Sequence, residues 1–184
     1  MTGMEDRRGR RVAFVAHCLL NQNAKAAGLA GWAAMVKPII DILNEAEIGV
    51  VQLPCPEYEF YGLTRPKGED TKEQYDCPEY RAICWELCRR TVDQVKRYLD
   101  AGYKVACILG IEGSPSCSVL TVPTREGVVP GSGIFFETLL SELRLAGIEV
   151  PVLGIPETAD LAETVRELRT LCAGPSPYPP AMPQ

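Results

Sequence analysis

Three of the cysteines in this chain stand where a predicted β-strand ends: Cys18, Cys55 and Cys117. Because the carboxyl ends of parallel strands lie along one edge of a sheet, these distant thiols are expected to lie close together. Three thiolates that bind one metal centre leave it with an open coordination position. Such a position suits chemistry on a bound substrate better than it suits a purely structural metal site.

The chain has eight cysteines, and the other five have simpler explanations. Cys77 lies in Cys77-Pro78-Glu79, which repeats the tripeptide Cys55-Pro56-Glu57. Since a proline and an acidic residue suit the first turn of a helix, we predict that Cys77 begins a strong helix. Cys55 instead follows a predicted buried strand and is expected to open an irregular loop. The remaining cysteines, predicted to be core or helix-end residues, are Cys84, Cys88, Cys107 and Cys172.

The bulk composition excludes several classes of protein. The chain has 184 residues, 46% of them hydrophobic, and a formal net charge of −5, so it is long enough for one domain with its own core. No basic stripe marks a nucleic-acid partner, and no apolar run is long enough to cross a membrane. Since no signal peptide is visible, we predict a cytoplasmic protein in which disulfides are a poor explanation for the cysteines. Composition does not indicate an oligomeric state.

Hydrophobic periodicity predicts strands that alternate with helices along the chain. The predicted strands are Val12–Ala16, Val50–Leu53, Val105–Leu109 and Val150–Ile155, and the predicted helices are Trp32–Ala46, Pro78–Asp100, Ile134–Leu145 and Ala159–Leu171. Two connecting segments are predicted to be irregular loops, Glu59–Asp76 and the glycine-rich stretch Gly110–Gly133.

This alternation is typical of an α/β protein in which helices cover both faces of a parallel sheet. We therefore expect a three-layer Rossmann-like fold with about four strands in the order 2-1-3-4. Residues 11–172 are predicted to form a single domain. Residues 1–10 are predicted to be a disordered polar leader, and residues 173–184 a disordered Pro-rich tail.

Several other chemically capable residues have ordinary structural explanations. His17 is the single histidine, and we predict that it supports Cys18 by a hydrogen bond and is not itself a ligand. Gly131-Ser132-Gly133 precedes a predicted helix, for which Ser132 is a sufficient N-cap. Four aromatic residues are predicted to be core or pocket-wall residues, namely Trp32, Trp85, Phe135 and Phe136.

Three short motifs lie in order at successive predicted strand ends. They are His17-Cys18-Leu19-Leu20-Asn21, Cys55-Pro56-Glu57 with Gly62-Leu63 behind it, and Ser114-Pro115-Ser116-Cys117. Together they resemble the signatures of the 2-thiouracil desulfurase (TudS) family, and most closely those of its smaller desulfidase relatives. The later Gly131–Glu137 and Ile155-Pro156-Glu157 also fit these relatives.

The resemblance implies an oxygen-sensitive [4Fe-4S] cluster bound by Cys18, Cys55 and Cys117, with the fourth iron free of any protein ligand. It also implies that Glu57 is the catalytic acid/base and that Ser114 assists. In that scheme a thiocarbonyl sulfur binds the open iron, water replaces the sulfur at carbon, and no external reductant is needed. The substrate is expected to be a small thiolated metabolite, either a thiocarbonyl compound or one similar to a thiolated nucleobase.

The chain departs from the uracil-acting members at the predicted wall of the pocket. Phe60-Tyr61-Gly62 stands where those members have a glycine pair, and Asn21 stands where they usually have glycine. We therefore do not transfer uracil as the substrate. Asn21, Arg65 and Ser116 are the candidate substrate-binding residues, Arg65 for an anionic substrate and Ser116 as an alternative to Ser114.

Two other functions are compatible with the same cysteines. The cluster could belong to a non-enzymatic module that senses redox state or carries sulfur to a partner. The three thiolates could also bind Zn²⁺ with water as the fourth ligand, which is the arrangement of a hydrolase. Turnover of a thiolated compound separates the first alternative from a desulfidase, and metal analysis separates the second.

Overall fold

A computed structural model describes the chain at residue 6 and over residues 8–65, 68–157 and 160–174. The predicted leader, residues 1–10, and the predicted tail, residues 173–184, lie largely outside this range, so their disorder stays a prediction. The single-domain boundaries 11–172 likewise stay a prediction.

The described residues contain six strands and seven α-helices. The strands are β1 Arg11–Val15, β2 Gly49–Gln52, β3 Lys104–Ile111, β4 Thr121–Thr124, β5 Gly127–Pro130 and β6 Val152–Ile155. The α-helices are α1 His17–Leu20, α2 Lys37–Glu45, α3 Pro56–Tyr61, α4 Lys72–Tyr75, α5 Pro78–Asp100, α6 Ile134–Leu145 and α7 Ala162–Cys172. A short 3-10 helix covers Gln22–Ala24.

Four of these strands form one parallel sheet in the order β2-β1-β3-β6. This confirms the predicted α/β class and the order 2-1-3-4, because β6 is the fourth strand of the sheet along the chain. β1 and β3 are central and almost entirely buried, as their apolar sequences require. β2 lies at the edge and is mostly exposed, so the prediction of a buried strand before Cys55 is wrong.

Two pairs of packed helices complete the layers around the sheet. α5 packs against α6, and α2 packs against α7. Pro78 suits the first turn of α5. The buried stripe of this helix includes Tyr80, Cys84, Cys88 and Val95. The stripe therefore confirms the prediction that Cys84 and Cys88 are core residues.

The buried guanidinium of Arg11 ties the two helices of one layer together. One of its nitrogens donates to the carbonyl of Ala46 at 3.0 Å, and the other donates to the carbonyl of Cys172 at 2.6 Å. These carbonyls belong to the C-terminal ends of α2 and α7, where a cation is favourable because helix dipoles place negative charge there. Arg11 thus explains how a charged residue is tolerated at the start of a buried strand.

Several predicted element boundaries differ from the structure. α2 begins at Lys37 and not at Trp32, because the residues just before it pack back against α1, where the N–H of Val36 donates to the carbonyl of Leu19 at 2.9 Å. β6 begins at Val152, two residues later than predicted. α7 begins at Ala162, and the predicted start at Ala159 lies outside the described residues.

The two predicted loops also contain regular structure. Glu59–Asp76 includes the end of α3 and the whole of α4, while Gly110–Gly133 contains the antiparallel hairpin of β4 and β5. The predicted N-cap role of Ser132 is wrong, because Gly133 occupies that position and the Ser132 hydroxyl donates to the carbonyl of Val119 at 2.8 Å. A two-stranded hairpin outside the main sheet has too few residues for its alternation to stand out.

The large aromatic residues divide between core and surface. Phe135 and Phe136 are fully buried, as predicted, and Trp32 is partly buried. Trp85 is half exposed on α5, where the guanidinium of Arg89 lies 4.9 Å from the ring centroid, so the prediction of a core or pocket position is wrong for this residue. Within the described residues, no helix has both the length and the apolar character needed to cross a membrane.

Candidate functional site

Cys18 is carried past the edge of the sheet by a single helical turn. It lies in α1, directly after β1, and the N–H of Asn21 closes this turn by donating to the carbonyl of His17 at 2.9 Å. The side-chain amide of Gln22 donates to the carbonyl of Cys18 at 2.7 Å. The backbone around Cys18 is therefore held from both sides, although its flanking residues were predicted only as a loop.

Cys55 is the N-cap residue of α3, three residues beyond the end of the edge strand β2. The carbonyl of Cys55 accepts the N–H of Glu59 at 3.0 Å, which starts the helix, and Pro56 occupies its first turn. Cys77 is the N-cap residue of α5 in the same way. Both Cys-Pro-Glu tripeptides thus begin a helix, with the cysteine as the N-cap residue. The prediction that Cys55 opens an irregular loop is wrong.

Cys117 lies in a tight turn that is held by its own serine. The hydroxyl oxygen of Ser114 accepts the N–H of Ser116 at 3.3 Å and the N–H of Cys117 at 3.0 Å. The first N–H groups of α6 donate to the same turn, with Phe135 bound to the carbonyl of Ser116 at 3.0 Å. The first N–H groups of α6 are therefore already bonded to protein carbonyls. They are not free to bind an anion beside Gly131-Ser132-Gly133.

The Cys117 turn also requires two glycines against its backbone. A Cβ atom on Gly133 would lie 2.4 Å from the carbonyl carbon of Ser116 and 2.7 Å from the nitrogen of Cys117. A Cβ atom on Gly110 would lie 2.5 Å from the carbonyl oxygen of Cys117. All three distances are shorter than such atoms can approach. These glycines therefore let the turn lie directly against the end of β3 and the start of α6.

The three thiols share one electrostatic neighbourhood. Burial is the main cause that raises the pKa of Cys117, and the nearby Cys18, Cys55 and Glu57 raise it further. Burial and the proximity of Cys55 raise the pKa of Cys18 to about 12, and burial followed by the charge of Glu57 raises the pKa of Cys55. The charge of Glu57 therefore affects the pKa of all three thiols.

A guanidinium balances that carboxylate. Arg65 donates through one terminal nitrogen to Oε2 of Glu57, and the side chains of Arg65 and Glu57 are only 5% and 13% exposed. Tyr75 adds a longer contact of 3.5 Å from its hydroxyl to the same oxygen. Burial and the charge of Glu57 raise the pKa of Tyr75, so its phenol stays protonated and can donate. The Glu57 carboxylate is therefore held in place beside the thiols.

The other predicted site residues already have partners within the protein. Ser116 is fully buried, and its hydroxyl lies 2.6 Å from that of Tyr80. Asn21 is exposed, and its side-chain oxygen accepts the N–H of Asn23 at 3.2 Å. The ring of His17 stacks on Tyr58 with 6.1 Å between centroids, and burial followed by the charge of Arg65 lowers the pKa of His17. The substrate-binding roles of Ser116 and Asn21 stay predictions.

The three thiols suit a polynuclear centre by their chemistry. Among the residues that the structure describes, no three His, Cys, Asp or Glu side chains converge as the ligands of a single metal ion. In an iron–sulfur cluster each thiolate binds its own iron atom, so the ligands surround the cluster and need not meet at one point. Soft, deprotonated sulfur is the donor that such clusters take from proteins, and Cys18, Cys55 and Cys117 fit that requirement.

Two cavities lie near the ends of the strands that precede the cysteines. One has a volume of about 260 Å³ and lies beside Leu19, Trp32, Ile111 and Glu157, at the carboxyl ends of β1, β3 and β6. The other is a more open groove of about 400 Å³, whose lining includes His17, Cys55 and Tyr58. Cys55 lines the second cavity, and the first is lined by residues at the ends of the same strands that precede Cys18 and Cys117.

Sequence reasoning missed a charged pair in the enclosed cavity. Lys25 forms an ion pair with Glu157, and only 8% of the lysine side chain is exposed. Glu157 follows β6 at the same sheet edge as the cysteines, so its position near the site could have been predicted from the sequence. Lys25 lies in a loop with no motif of its own, so nothing local in the sequence indicates its position.

Comparison with known proteins gives one close relative and one distant structural neighbour. No family model matches the chain. A solved structure described as the [4Fe-4S]-dependent thiouracil desulfidase TudS overlaps 88% of this chain and 99% of its own, with a TM-score of 0.47 and 20% sequence identity. An overlap of this kind does not show a shared activity. The uncharacterized protein MJ0003 of Methanocaldococcus jannaschii is 31% identical over 150 residues, covering 82% of this chain and 88% of the relative. The chain therefore belongs to the same family as MJ0003.

Proposed function

We propose that this protein is an iron–sulfur-dependent desulfidase that removes sulfur from a small thiolated metabolite. The observation that carries the proposal is the placement of the three cysteines after β1, β2 and β3, which are neighbouring strands of the sheet, with Glu57 two residues after Cys55. Cys18, Cys55 and Cys117 are the proposed cluster ligands. A reducing cytoplasm, the predicted location, would keep such thiols reduced, which is the state that an iron–sulfur cluster requires.

The proposed reaction is a hydrolysis, so its atoms and electrons balance without a reductant. A bound cluster would supply a thiophilic iron position that selects sulfur over the commoner carbonyl oxygen. Glu57 takes a proton from the water that attacks the thiocarbonyl carbon and returns it to the departing sulfur. The second proton of that water leaves the new oxygen as the C=O bond forms, so the sulfur departs as HS⁻ with that proton, or as H₂S, while the carbon keeps oxygen. Arg65 holds the Glu57 carboxylate in one orientation during both transfers.

Ser114 can assist because its hydroxyl has a proton left to donate. Its oxygen accepts two backbone N–H groups in the Cys117 turn, and a serine hydroxyl that accepts in this way still carries one O–H donor. That donor can bind the attacking water or the substrate. Ser116, whose hydroxyl is paired with Tyr80 in the interior, would first have to give up that hydrogen bond.

Metal content is the first test of the proposal. Protein purified without oxygen and reconstituted with iron and sulfide should be brown, with about four iron atoms and four sulfides per chain. Cys18→Ala, Cys55→Ala and Cys117→Ala should each lose the cluster. Cys77→Ala is the matched control, because it changes the same Cys-Pro-Glu tripeptide at another helix start and should keep the cluster. Zinc in place of iron would instead support the hydrolase alternative.

Sulfide release is the second test. The loaded protein should convert thiocarbonyl compounds to their oxygen analogues in the absence of oxygen, and Glu57→Gln should lower the rate by about 10² to 10⁴ because the proton carrier is lost. A cluster that binds normally in a protein with no turnover, and with no effect of Glu57→Gln on its properties, would support the redox or sulfur-carrier alternative.

A further inference from the structure

A second group of cysteines lies in the interior, apart from the three cysteines at the carboxyl ends of the strands. Cys107 is in the middle of β3, where its register partner on β1 is Ala13, and it is fully buried. Cys172 is the last residue of α7, and only 4% of it is exposed. Both belong to the hydrophobic core, and a hydrogen bond joins their side chains. The two sulfurs are therefore neighbours in space.

This thiol pair is separate from the proposed cluster ligands. Cys107 precedes the end of β3 at Ile111 by four residues, which is about 13 Å along a strand. Arg11 begins β1, and its guanidinium donates to the carbonyl of Cys172 at 2.6 Å, so the end of α7 lies at the amino ends of the strands. Chemistry at this pair needs no cluster and goes beyond the proposed function.

The two sulfurs have different roles in their hydrogen bond. That bond is the main cause that lowers the pKa of Cys172, and it is also the main cause that raises the pKa of Cys107. Cys107 is thus the thiol that keeps its proton and donates it to the bond. Because the thiolate is the nucleophilic form of cysteine, Cys172 is the reactive member of the pair.

Arg11 places a buried positive charge beside this pair. Two of its nitrogens donate to the carbonyls of Ala46 and Cys172, but Nε is buried and has no hydrogen-bond partner among the residues that the structure describes. A buried donor of this kind is costly unless an acceptor lies near it. A negative charge on Cys172 is therefore favoured by a cation that the fold already holds in place.

The end of α7 gives a small oxidant a route to Cys172. The next residue, Ala173, is exposed, and the ends of helices open at a lower cost in free energy than central strands do. Cys107 lies deeper, in a central strand of the sheet. An oxidant that enters at the end of α7 thus meets the thiolate first and the protonated thiol second.

From this arrangement we propose that Cys172 is a site of oxidation by peroxide and that Cys107 converts the oxidised Cys172 to a disulfide. The Cys172 thiolate attacks one oxygen of hydrogen peroxide, the O–O bond breaks, hydroxide leaves, and a sulfenic acid remains. The Cys107 sulfur then attacks that sulfenic sulfur, and the Cys107 proton leaves with the hydroxyl group as water. Peroxide takes up the two electrons that the two sulfurs lose, so no other reactant is needed.

Peptide mapping tests the proposal. Full-length protein purified without oxygen is treated with an equal molar amount of hydrogen peroxide, and the remaining thiols are blocked with N-ethylmaleimide in denaturant. Cleavage after Arg169 isolates the peptide of Cys172, and cleavage after Glu112 separates Cys107 from Cys117. The main product should be a disulfide between Cys107 and Cys172. A different main disulfide, or recovery of both as blocked thiols once the peroxide is consumed, would overturn the proposal.

The same map contains an internal control. Cys84 and Cys88 are also buried cysteines, and burial raises the pKa of each. Because neither thiol is held as a thiolate, both should be recovered as blocked thiols. Oxidation of Cys84 and Cys88 to the same extent as Cys172 would mean that peroxide reacts with buried thiols without selection, which would also overturn the proposal.

Two substitutions separate the two roles of Cys107. Cys107→Ser keeps an O–H donor but cannot form a disulfide, so Cys172 should stop at the sulfenic acid, which dimedone labels. Cys107→Ala also removes the donor, and dimedone labelling of Cys172 should be about fivefold slower, because a smaller thiolate fraction is partly offset by a more nucleophilic sulfur. Equal rates in the two variants, or no label in Cys107→Ser, would contradict the assigned roles. Should either variant fail to fold, the map of the unmodified protein still decides.

This proposal and the proposed function fail in different ways. A protein that binds no iron but forms the disulfide between Cys107 and Cys172 would keep the oxidation site and reject the desulfidase. A protein that binds its cluster and releases sulfide, but never forms this disulfide, would do the opposite.

Discussion

The guanidinium of Arg65 is bound to Oε2 of Glu57, the carboxylate that follows Cys55 by two residues. Both side chains are nearly withdrawn from solvent, and the Nε of Arg65 is buried without a hydrogen-bond partner among the described residues. A buried N–H donor without a partner is costly, so a ligand acceptor at this position would be stabilising. Arg65 was predicted as a contact for an anionic substrate, and its remaining donor keeps that prediction open.

Arg65→Met should destabilise the protein and lower its activity. Removing one partner of a buried ion pair leaves the other charge uncompensated, which costs about 3 to 5 kcal/mol. The double variant Arg65→Met/Glu57→Gln should lose less stability than the two single variants combined, since no charge is then left unpaired. Urea unfolding of the four proteins measures this coupling. Additive losses would show that the two side chains act independently.

Gly133→Ala should displace the Cys117 turn and loosen the cluster. The new methyl group would lie within 2.4 Å of the Ser116 backbone, and overpacking of this kind costs about 1 to 3 kcal/mol. We expect fewer iron atoms per chain after reconstitution in a protein that still folds. Gly49→Ala is the matched control, because its new methyl group would meet only ordinary contacts at 3.6 and 3.7 Å. Full iron content in Gly133→Ala would mean that the turn can move without losing its ligand.

The roles of Ser114 and Ser116 can be separated by measuring both sulfide release and the free energy of unfolding in variants of each serine. Ser116→Ala leaves the Tyr80 hydroxyl buried without its partner, at a cost of about 1 to 3 kcal/mol, and Ser116→Ala/Tyr80→Phe should recover part of that loss. Sulfide release per folded molecule should stay unchanged in Ser116→Ala and fall in Ser114→Ala. The reverse pattern would transfer the assisting role to Ser116.

Cys172 should make the stability of the protein depend on pH away from the thiol site. A hydrogen bond with Cys107, and more weakly the Arg11 charge, lower the pKa of Cys172 to about 7 from its ordinary value of 9.0. Because the folded pKa is depressed, this contribution is present above pH 9 and is lost as pH falls through about 7. The free energy of unfolding should therefore rise from pH 7 to pH 9 more in the unmodified protein than in Cys172→Ser. If urea unfolding gives the same pH dependence of the free energy of unfolding for the unmodified protein and for Cys172→Ser, this assignment is contradicted.

The strand ends that carry Cys18, Cys55 and Cys117 could be predicted from the sequence, because each follows a short apolar run with its own local pattern. The central strands and α6 were predicted for the same reason, since period and composition act over a few residues. The exposure of β2 could not be predicted. A strand lies at the edge of a sheet when no other strand pairs with one of its sides, and the sequence of the strand itself does not record this. The hairpin of β4 and β5 was missed because four-residue strands are too short for alternation to distinguish them from a loop.

The sequence by itself determined the chemistry of this protein: three thiols, a carboxylate two residues after the second thiol, and a run of strands that would bring them to one edge. Only the tertiary structure decided the partners of those groups. The pairing of Lys25 with Glu157 joins residues that are 132 positions apart, and the bond from Arg65 to Glu57 depends on how one loop folds back over α3. Such contacts depend on the position of whole elements in space, and that position is set by packing across the sheet, where no local pattern in the chain records it.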